Sequence, residues 1–145
     1  MELYYLENGC LLPGIHTIVL DEFIREFGYN RHRLTLINGL KMALNDLKDV
    51  GCRTVYIDGS FVTKKELPSD FDACWEFEGV DLTQLKQKYP LFFDFANGRA
   101  NQKAHYKGEL MPAGARAKIN PLILYKDFFQ LDKEDNKKGI ICLML

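Results

Sequence analysis

The chain has 145 residues, of which 47% are apolar and 27% are charged, and its formal net charge is −1. A chain of this length and composition is typical of one globular domain, so we take residues 1–145 as a single domain. The near-zero charge predicts no general affinity for nucleic acid or for an anionic membrane surface.

The first part of the chain contains one strongly periodic helix. The start, MELYYLENGCLLPG, lacks the basic and apolar regions of a signal peptide and predicts an irregular arm with turns. Asp21 is expected to cap a short helix that stops at Gly28. The best helix spans 31–51, because apolar residues recur every three or four positions: Leu34, Ile37, Leu40, Leu44 and Leu47. A strand is predicted at 53–58.

The second part of the chain alternates further strands with helices. The predicted strands are 70–77, 91–95 and 139–145. The predicted helices are 81–89, 97–108 and 122–130. We expect Asn97 to cap the helix 97–108, and the turn 132–138 to face solvent. This alternation predicts an α/β (α+β) protein with a mixed β-sheet covered by helices. The longest apolar run, GIICLML, is too short to span a membrane, so we expect a cytoplasmic protein.

A Gly-Ser pair follows the predicted strand 53–58 and forms one candidate site. Gly59 lets the backbone turn sharply and lets a ligand come close, while Ser60 offers a hydroxyl and an N–H group. If a helix begins there, its free amides favour phosphate. Lys64 and Lys65 follow closely enough to reach the far phosphates of a nucleotide. An ordinary turn is the alternative interpretation.

Three aspartates form a candidate metal site. Residues two apart in a strand face the same side, so Asp70 and Asp72 share one face and repel each other unless a cation is present. Their oxygens suit Mg²⁺ or Mn²⁺. Asp94 lies in the apolar run 91–95, where a lone carboxylate is costly, so we expect it to complete the site from a neighbouring strand. The alternatives are a cap or an Asx-turn for the first two and an ion pair with Arg99 for Asp94.

Basic residues follow the predicted strand 91–95. Arg99 and Lys103 are four residues apart and share one face of a helix. They are either a basic wall that contacts a nucleotide or an acceptor such as RNA, or part of a solvated surface helix.

The order Gly59-Ser60, nine residues, Asp70-x-Asp72 resembles the polymerase-beta-like nucleotidyltransferase superfamily. The resemblance implies that the Gly-Ser pair holds the triphosphate of an NTP and that the two aspartates bind divalent ions. It also implies that Asp94 completes the metal site and helps to deprotonate the attacking hydroxyl. The remaining candidate nucleotide-binding residues are Thr63, Lys64, Lys65, Arg99 and Lys103. Small members often carry an arginine and a second glycine shortly after Gly-Ser, and this chain does not.

More loosely, the chain resembles a small bacterial nucleotidyltransferase-like family of unknown function, through LPGIH, NGRANQKAHYKGEL and DFFQLDKEDNKKGI. The two resemblances imply a minimal nucleotidyltransferase-like fold that moves an NMP group from an NTP to a protein or RNA hydroxyl with Mg²⁺ or Mn²⁺. The alternative is an inactive binding module that partners a small protein in a toxin–antitoxin or phage-defence pair. The absence of a recognisable acceptor-binding region in the sequence favours that alternative.

Overall fold

A mixed five-stranded sheet forms the centre of the protein. The computed structural model describes residues 2–145. The strands of this sheet are β1 (Gly14–Thr17), β2 (Thr54–Asp58), β3 (Phe71–Trp75), β4 (Gly108–Pro112) and β7 (Gly139–Met144). Their spatial order is β1-β7-β2-β3-β4. Strands β5 (Arg116–Lys118) and β6 (Ile123–Leu124) pair separately with each other.

The helices connect and cover the strands. They are α1 (Leu20–Phe27), α2 (Arg31–Asp49), α3 (Leu82–Lys88), α4 (Ala96–Tyr106) and α5 (Tyr125–Phe128). The side chain of Asn30 caps α2 by accepting a hydrogen bond from the N–H of Arg33 at 2.7 Å. Two 3₁₀ turns occur at Ser60–Val62 and Pro90–Phe93. None of the helices in residues 2–145 is both long and apolar enough to cross a membrane.

The directions of the strands fix which connections cross the sheet. Strand β2 is antiparallel to both of its neighbours, β3 and β7. Strand β4 is parallel to β3, and α3 and α4 lie between them in the chain. This β3–helix–β4 unit is a parallel crossover, which brings two distant segments side by side at the same end of the sheet.

The two faces of the sheet differ in what covers them. One face packs against the helices and forms the main core, with Val55, Ile57, Phe71, Ala73, Trp75, Leu110, Ile141 and Leu143. The opposite face carries a smaller buried cluster formed by Tyr56, Cys74, Ala113, Phe129, Ile140 and Cys142. Because side chains alternate along a strand, Asp58, Asp72 and Glu109 belong to this second face.

The mixed fold predicted from the sequence is confirmed, as are the helix at 31–51 and the strands at 53–58, 70–77 and 139–145, within a few residues at their ends. Leu34 of the predicted helical core is 41% exposed, whereas the other four core residues are buried. The helix predicted at 122–130 is reduced to the single turn α5, because Ile123–Leu124 is extended. Asp21 lies in the first turn of α1 and is not its cap.

Two predictions around residues 91–99 are wrong. Residues Pro90–Phe93 form a 3₁₀ turn and not a strand, since proline is pre-organised for the first position of a helical turn. The aromatic ring of Phe92 packs against Trp75 and Tyr106, which accounts for the apolar run. Asn97 does not cap α4, because it begins a left-handed turn in which Asn97, Gly98 and Arg99 have φ of 53°, 64° and 65°.

Candidate functional site

Three carboxylates lie directly opposite one another on adjacent strands of the second face. Asp58 at the end of β2 is in register with Asp72 of β3, and Asp72 is in register with Glu109 of β4. Directly opposite residues of a sheet have close side chains, about 5 Å apart at Cβ. We call Asp58, Asp72 and Glu109 the carboxylate row. Asp70 precedes β3 and adds a fourth acid next to it.

Burial of these like charges shifts their titration. Burial, a hydrogen bond shared with Glu109, and the charges of Glu109 and Asp70 raise the pKa of Asp72 to about 8. Burial also raises the pKa of Asp58, and burial together with the charge of Glu109 raises the pKa of Asp70. These shifts favour a protonated carboxyl in the row, in the pair formed by Asp72 and Glu109.

Both ends of the carboxylate row have cationic partners. Arg99 Nε lies 3.0 Å and Lys103 Nζ lies 3.4 Å from Oε1 of Glu109. Although burial opposes it, the hydrogen bond from Asp72 and the Arg99 guanidinium lower the pKa of Glu109. Lys138 Nζ lies 3.0 Å from Oδ1 of Asp58. Within residues 2–145, no lysine or arginine pairs with Asp72, so the centre of the row lacks a cation of its own.

Gly59 brings the backbone into contact with the carboxylate row. Its φ of 81° and ψ of −169° belong to a region that is essentially restricted to glycine. A Cβ added at Gly59 would lie 2.3 Å from Oδ2 of Asp72. The sharp turn predicted at this residue is present, and the 3₁₀ turn Ser60–Val62 starts directly after it.

A buried arginine holds the loop that follows Gly59. Arg33 is 0% exposed, although it belongs to helix α2. Its guanidinium donates to the carbonyl oxygens of Phe61 at 2.7 Å, Thr63 at 2.9 Å and Lys65 at 3.1 Å. It also donates to Phe27 at 3.1 Å. Arg33 therefore fixes the shape of the loop through its main chain.

Two clefts meet beside the carboxylate row. The first, which we call the loop cleft, has a volume of about 820 Å³ and lies between residues 5–10 and the loop that starts at Gly59. The second, the outer cleft, has a volume of about 360 Å³ and lies between the row and residues 118–138. Gly59 and Lys138 line both clefts, so the two adjoin there. Both volumes are in the range of small-molecule sites, roughly 300–1,000 Å³.

All five predicted residues of the Gly-Ser segment line the loop cleft: Gly59, Ser60, Thr63, Lys64 and Lys65. The Thr63 hydroxyl donates to the carbonyl of Ser60 at 2.6 Å, so it also shapes the loop. Lys64 Nζ lies 4.6 Å from the centre of the Tyr5 ring. Burial raises the pKa of Asp70, and the positive charge of Lys65 acts against this effect without cancelling it.

Asp94 does not join the other predicted acids. It follows the 3₁₀ turn Pro90–Phe93, and its carboxylate accepts hydrogen bonds from Asn101 Nδ2 at 2.8 Å and from the N–H of Ala96 at 3.2 Å. The strand required to carry it beside β3 is β4, and that strand brings Glu109 instead. The alternative pair of Asp94 with Arg99 is also wrong, since Arg99 bonds Glu109.

Four residues of the site escape the sequence reasoning: Arg33, Asp58, Glu109 and Lys138. For Asp58 and Glu109, the alternation of side chains along their strands offers a signal. Asp58 lies two residues after Tyr56 and Glu109 lies two residues before Met111, so each faces the second side of the sheet. Lys138 belongs to the turn predicted to face solvent, but its side chain is only 16% exposed because it is paired with Asp58.

The donor atoms of the site suit a hard divalent cation, because all of them are carboxylate oxygens. In the part of the chain that the structure describes, no three His, Cys, Asp or Glu side chains are arranged to hold a metal ion as they lie. Glu109 is instead engaged by a hydrogen bond with Asp72 and by ion pairs with Arg99 and Lys103. A cation that binds here would replace the proton held by Asp72.

The proton on Asp72 predicts an unusual dependence of stability on pH. When unfolded, Asp72 titrates near its ordinary value of 3.8, whereas in the folded chain its pKa is about 8. The folded state binds more protons between these values, so the free energy of unfolding falls as pH rises through this window. The fall is at most about 1.4 kcal/mol per pH unit for this one group. Glu109 acts in the opposite sense, but only below its ordinary value of 4.5.

We expect Asp72→Asn to flatten this fall. The measurement is urea unfolding followed by circular dichroism between about pH 5 and about pH 8. Equal slopes in the parent protein and in Asp72→Asn would show that the buried carboxyl does not carry the proton.

Comparison with known proteins identifies a family without an assigned activity. A family model described as "Family of unknown function (DUF6932)" matches residues 4–144. No curated protein and no solved structure matches the chain. The chemistry of the site must therefore be inferred from its own residues.

Proposed function

The chain belongs to the DUF6932 family, and we propose that it is a cytoplasmic, metal-dependent nucleotidyltransferase that moves an NMP group from an NTP to a protein or RNA hydroxyl. The observation that carries this proposal is the carboxylate row in contact with the Gly59 turn. Carboxylate groups that repel each other lie against the Gly59 turn. The loop cleft beside this turn is lined with lysines. This juxtaposition suits a polyphosphate bound through divalent ions.

The loop cleft would hold the phosphates. Ser60 and the turn after Gly59 offer a hydroxyl and backbone amides, while Lys64, Lys65 and Lys138 provide positive charge along the same cleft. Asp70, Asp72 and Glu109 would hold Mg²⁺ or Mn²⁺, with Glu109 in the place predicted for Asp94. A metal held by these residues would neutralise charge on the phosphates.

Glu109 is placed to take the proton of the acceptor. Arg99 and Lys103 hold its carboxylate in position, and the same cations lower its pKa, so it is a weaker base than an ordinary glutamate. In the proposed reaction the acceptor oxygen bonds to the α-phosphorus, and the bond from that phosphorus to the bridging oxygen breaks. The proton of the hydroxyl passes to the Glu109 carboxylate, and pyrophosphate leaves with the bridging oxygen.

The second candidate function is a nucleotidyltransferase-like binding module that acts with a small protein partner in a toxin–antitoxin or phage-defence pair. One observation favours it. Both ends of the carboxylate row already have basic partners, Lys138 at Asp58 and Arg99 with Lys103 at Glu109. Lysines and arginines in these places neutralise acids that a catalytic metal would otherwise use.

The test uses NTPs labelled at the α-phosphate, with Mg²⁺ or Mn²⁺ and a cell lysate as the source of protein and RNA acceptors. We expect label transfer by the parent protein and by Asp94→Asn, and a loss of roughly 100-fold or more in Asp72→Asn and Glu109→Gln. EDTA should abolish transfer. Calorimetry with ATP and Mg²⁺ is run in parallel.

The outcomes separate the two candidate functions. Binding of ATP with Mg²⁺ but no transfer of label, with any of the four nucleotides, supports the binding module. Absence of both binding and transfer overturns both candidates. Equal transfer by Asp72→Asn and Asp94→Asn would place the chemistry outside the carboxylate row.

A further inference from the structure

An aromatic side chain is left exposed on the wall of the outer cleft. Phe128 is 37% exposed and lines this cleft, whereas the next residue, Phe129, is 5% exposed and packs in the smaller core cluster. The ring of Tyr125 lies at a steep angle to that of Phe128, with centroids 6.4 Å apart, and so supports one side of it. The only cation recorded over the Phe128 ring in residues 2–145 is the solvent-exposed Lys118, with Nζ 5.5 Å from its centre.

The position of Phe128 relative to the carboxylate row suggests a role for its ring. The outer cleft is lined by Asp58 and Asp72 on one side and by Phe128 on the other, and it joins the loop cleft at Gly59 and Lys138. For a nucleotide with its outer phosphates in the loop cleft and its α-phosphate at the row, the outer cleft is the adjoining space that can take the nucleoside, because it borders the loop cleft at Gly59 and Lys138 and is lined by Asp58 and Asp72.

We propose that Phe128 is the stacking platform for the nucleobase and that Lys118 moves aside to admit the base. This inference rests on the proposed function, because it takes the position of the phosphates from it. An exposed lysine holds an aromatic ring only weakly, so a base can displace it. An aromatic ring can stack on any of the bases. Alanine substitution of such rings weakens binding by roughly 5- to 150-fold.

Two tyrosine rings near the loop cleft are already engaged in other contacts. Tyr5 and Tyr29 line a smaller cleft of about 320 Å³. The hydroxyl of Tyr5 bonds Glu26, and Lys64 covers its ring. The Arg33 guanidinium lies 4.6 Å from the centre of the Tyr29 ring, and the Tyr29 hydroxyl donates to the carbonyl of Lys65 at 3.1 Å. Neither ring is free to accept a base without loss of the contacts that shape the loop.

The polar groups of the outer cleft do not offer a better anchor. Oδ1 of Asp132 accepts from the N–H groups of Glu134 at 2.9 Å and Asn136 at 2.8 Å, so it is used within its own turn. Asp58 is paired with Lys138. Among the described residues that line this cleft, Phe128 is the only aromatic one, so its ring is the surface best suited to a planar base.

The test compares ATP with inorganic tripolyphosphate, both with Mg²⁺, by calorimetry on the full chain. We expect Phe128→Ala to weaken ATP binding by about 10-fold or more and to leave tripolyphosphate binding within about twofold. Phe128→Tyr keeps a ring and should keep the affinity for ATP, whereas Phe128→Leu should lose it. The control is Phe77→Ala, because Phe77 is 48% exposed and lies beyond the other end of β3.

The outcomes distinguish a failure of this inference from a failure of the proposed function. If the parent protein binds tripolyphosphate and ATP but Phe128→Ala binds both as well as the parent does, this inference is wrong and the proposed function stands. If the parent protein binds neither ligand, the proposed function fails and the inference fails with it. Thermal unfolding checks that each variant is folded. If Phe128→Ala is not folded, the affinity of Phe128→Leu for ATP is compared with that of the parent protein instead.

Discussion

Gly59→Ala is expected to destabilise the protein by about 2–5 kcal/mol and, under the proposed function, to abolish binding of ATP with Mg²⁺. Two independent costs add. The backbone at Gly59 has φ of 81° and ψ of −169°, a strain of roughly 1–3 kcal/mol for any other residue. The new methyl group would also lie 2.3 Å from Oδ2 of Asp72, so either the carboxylate or the turn must shift.

The chain offers a matched control for this substitution. Gly98 also has a positive φ, 64°, but a Cβ added there meets nothing within 4 Å. Gly98→Ala should therefore cost only about 1 kcal/mol. Urea unfolding measures both variants. In an Asp72→Ala background the contact is gone, so Gly59→Ala should cost less there; an unchanged cost in that background would rule out the contact.

Arg33→Met is expected to cost about 3–5 kcal/mol and to loosen the loop 59–66. The guanidinium is buried and satisfies the carbonyl oxygens of Phe27, Phe61, Thr63 and Lys65. Methionine has a similar length but no donors, so these acceptors lose their partners inside the protein. Lysine cannot span the same set, because its donors radiate from a single nitrogen.

Arg31→Met is the control for Arg33→Met. Arg31 is exposed and begins the same helix, so its replacement should change the free energy of unfolding by no more than about 0.5 kcal/mol. Urea unfolding gives the stabilities, and hydrogen exchange of the amides of residues 59–66 reports on the loop. A loss below about 1 kcal/mol in Arg33→Met, with unchanged exchange, would mean that the loop holds its shape without the arginine.

The sequence predicts those parts of the site that depend on local periodicity. Asp72 faces away from the main core because Phe71, Ala73 and Trp75 alternate with it and are buried in the core. The turn at Gly59 is likewise a local property, since a strand must end before a glycine in such a conformation. No partner from elsewhere in the chain is needed for either prediction.

The third acid could not be found in the same way. The run 91–95 is more apolar than β4, whose residues include Gly108 and Pro112, so composition favours the wrong segment as the strand. The run is apolar because Phe92 fills the core beside Trp75, and not because it belongs to the sheet. Glu109 is in the row because the crossover after β3 makes β4 parallel to it, a relation that appears only in the folded chain.

Long-range polar partners were missed for a related reason. A charged residue in a helix or turn is normally solvated, so Arg33 and Lys138 carry no sign of burial in the sequence. Each is shielded from solvent beside a partner more than twenty-five residues away, the carbonyl of Phe61 for Arg33 and the carboxylate of Asp58 for Lys138. Only the tertiary structure brings these pairs together.

The place of β7 between β1 and β2 has a consequence for the nascent chain. During translation β1 has no sheet to join, and β2 keeps one edge unpaired, until residues 139–144 have been synthesised. Such an open edge can pair with a neighbouring chain, and long-range pairing closes slowly. Chaperones that shield exposed strand edges should therefore raise the yield of this protein more than ligands that bind its finished clefts.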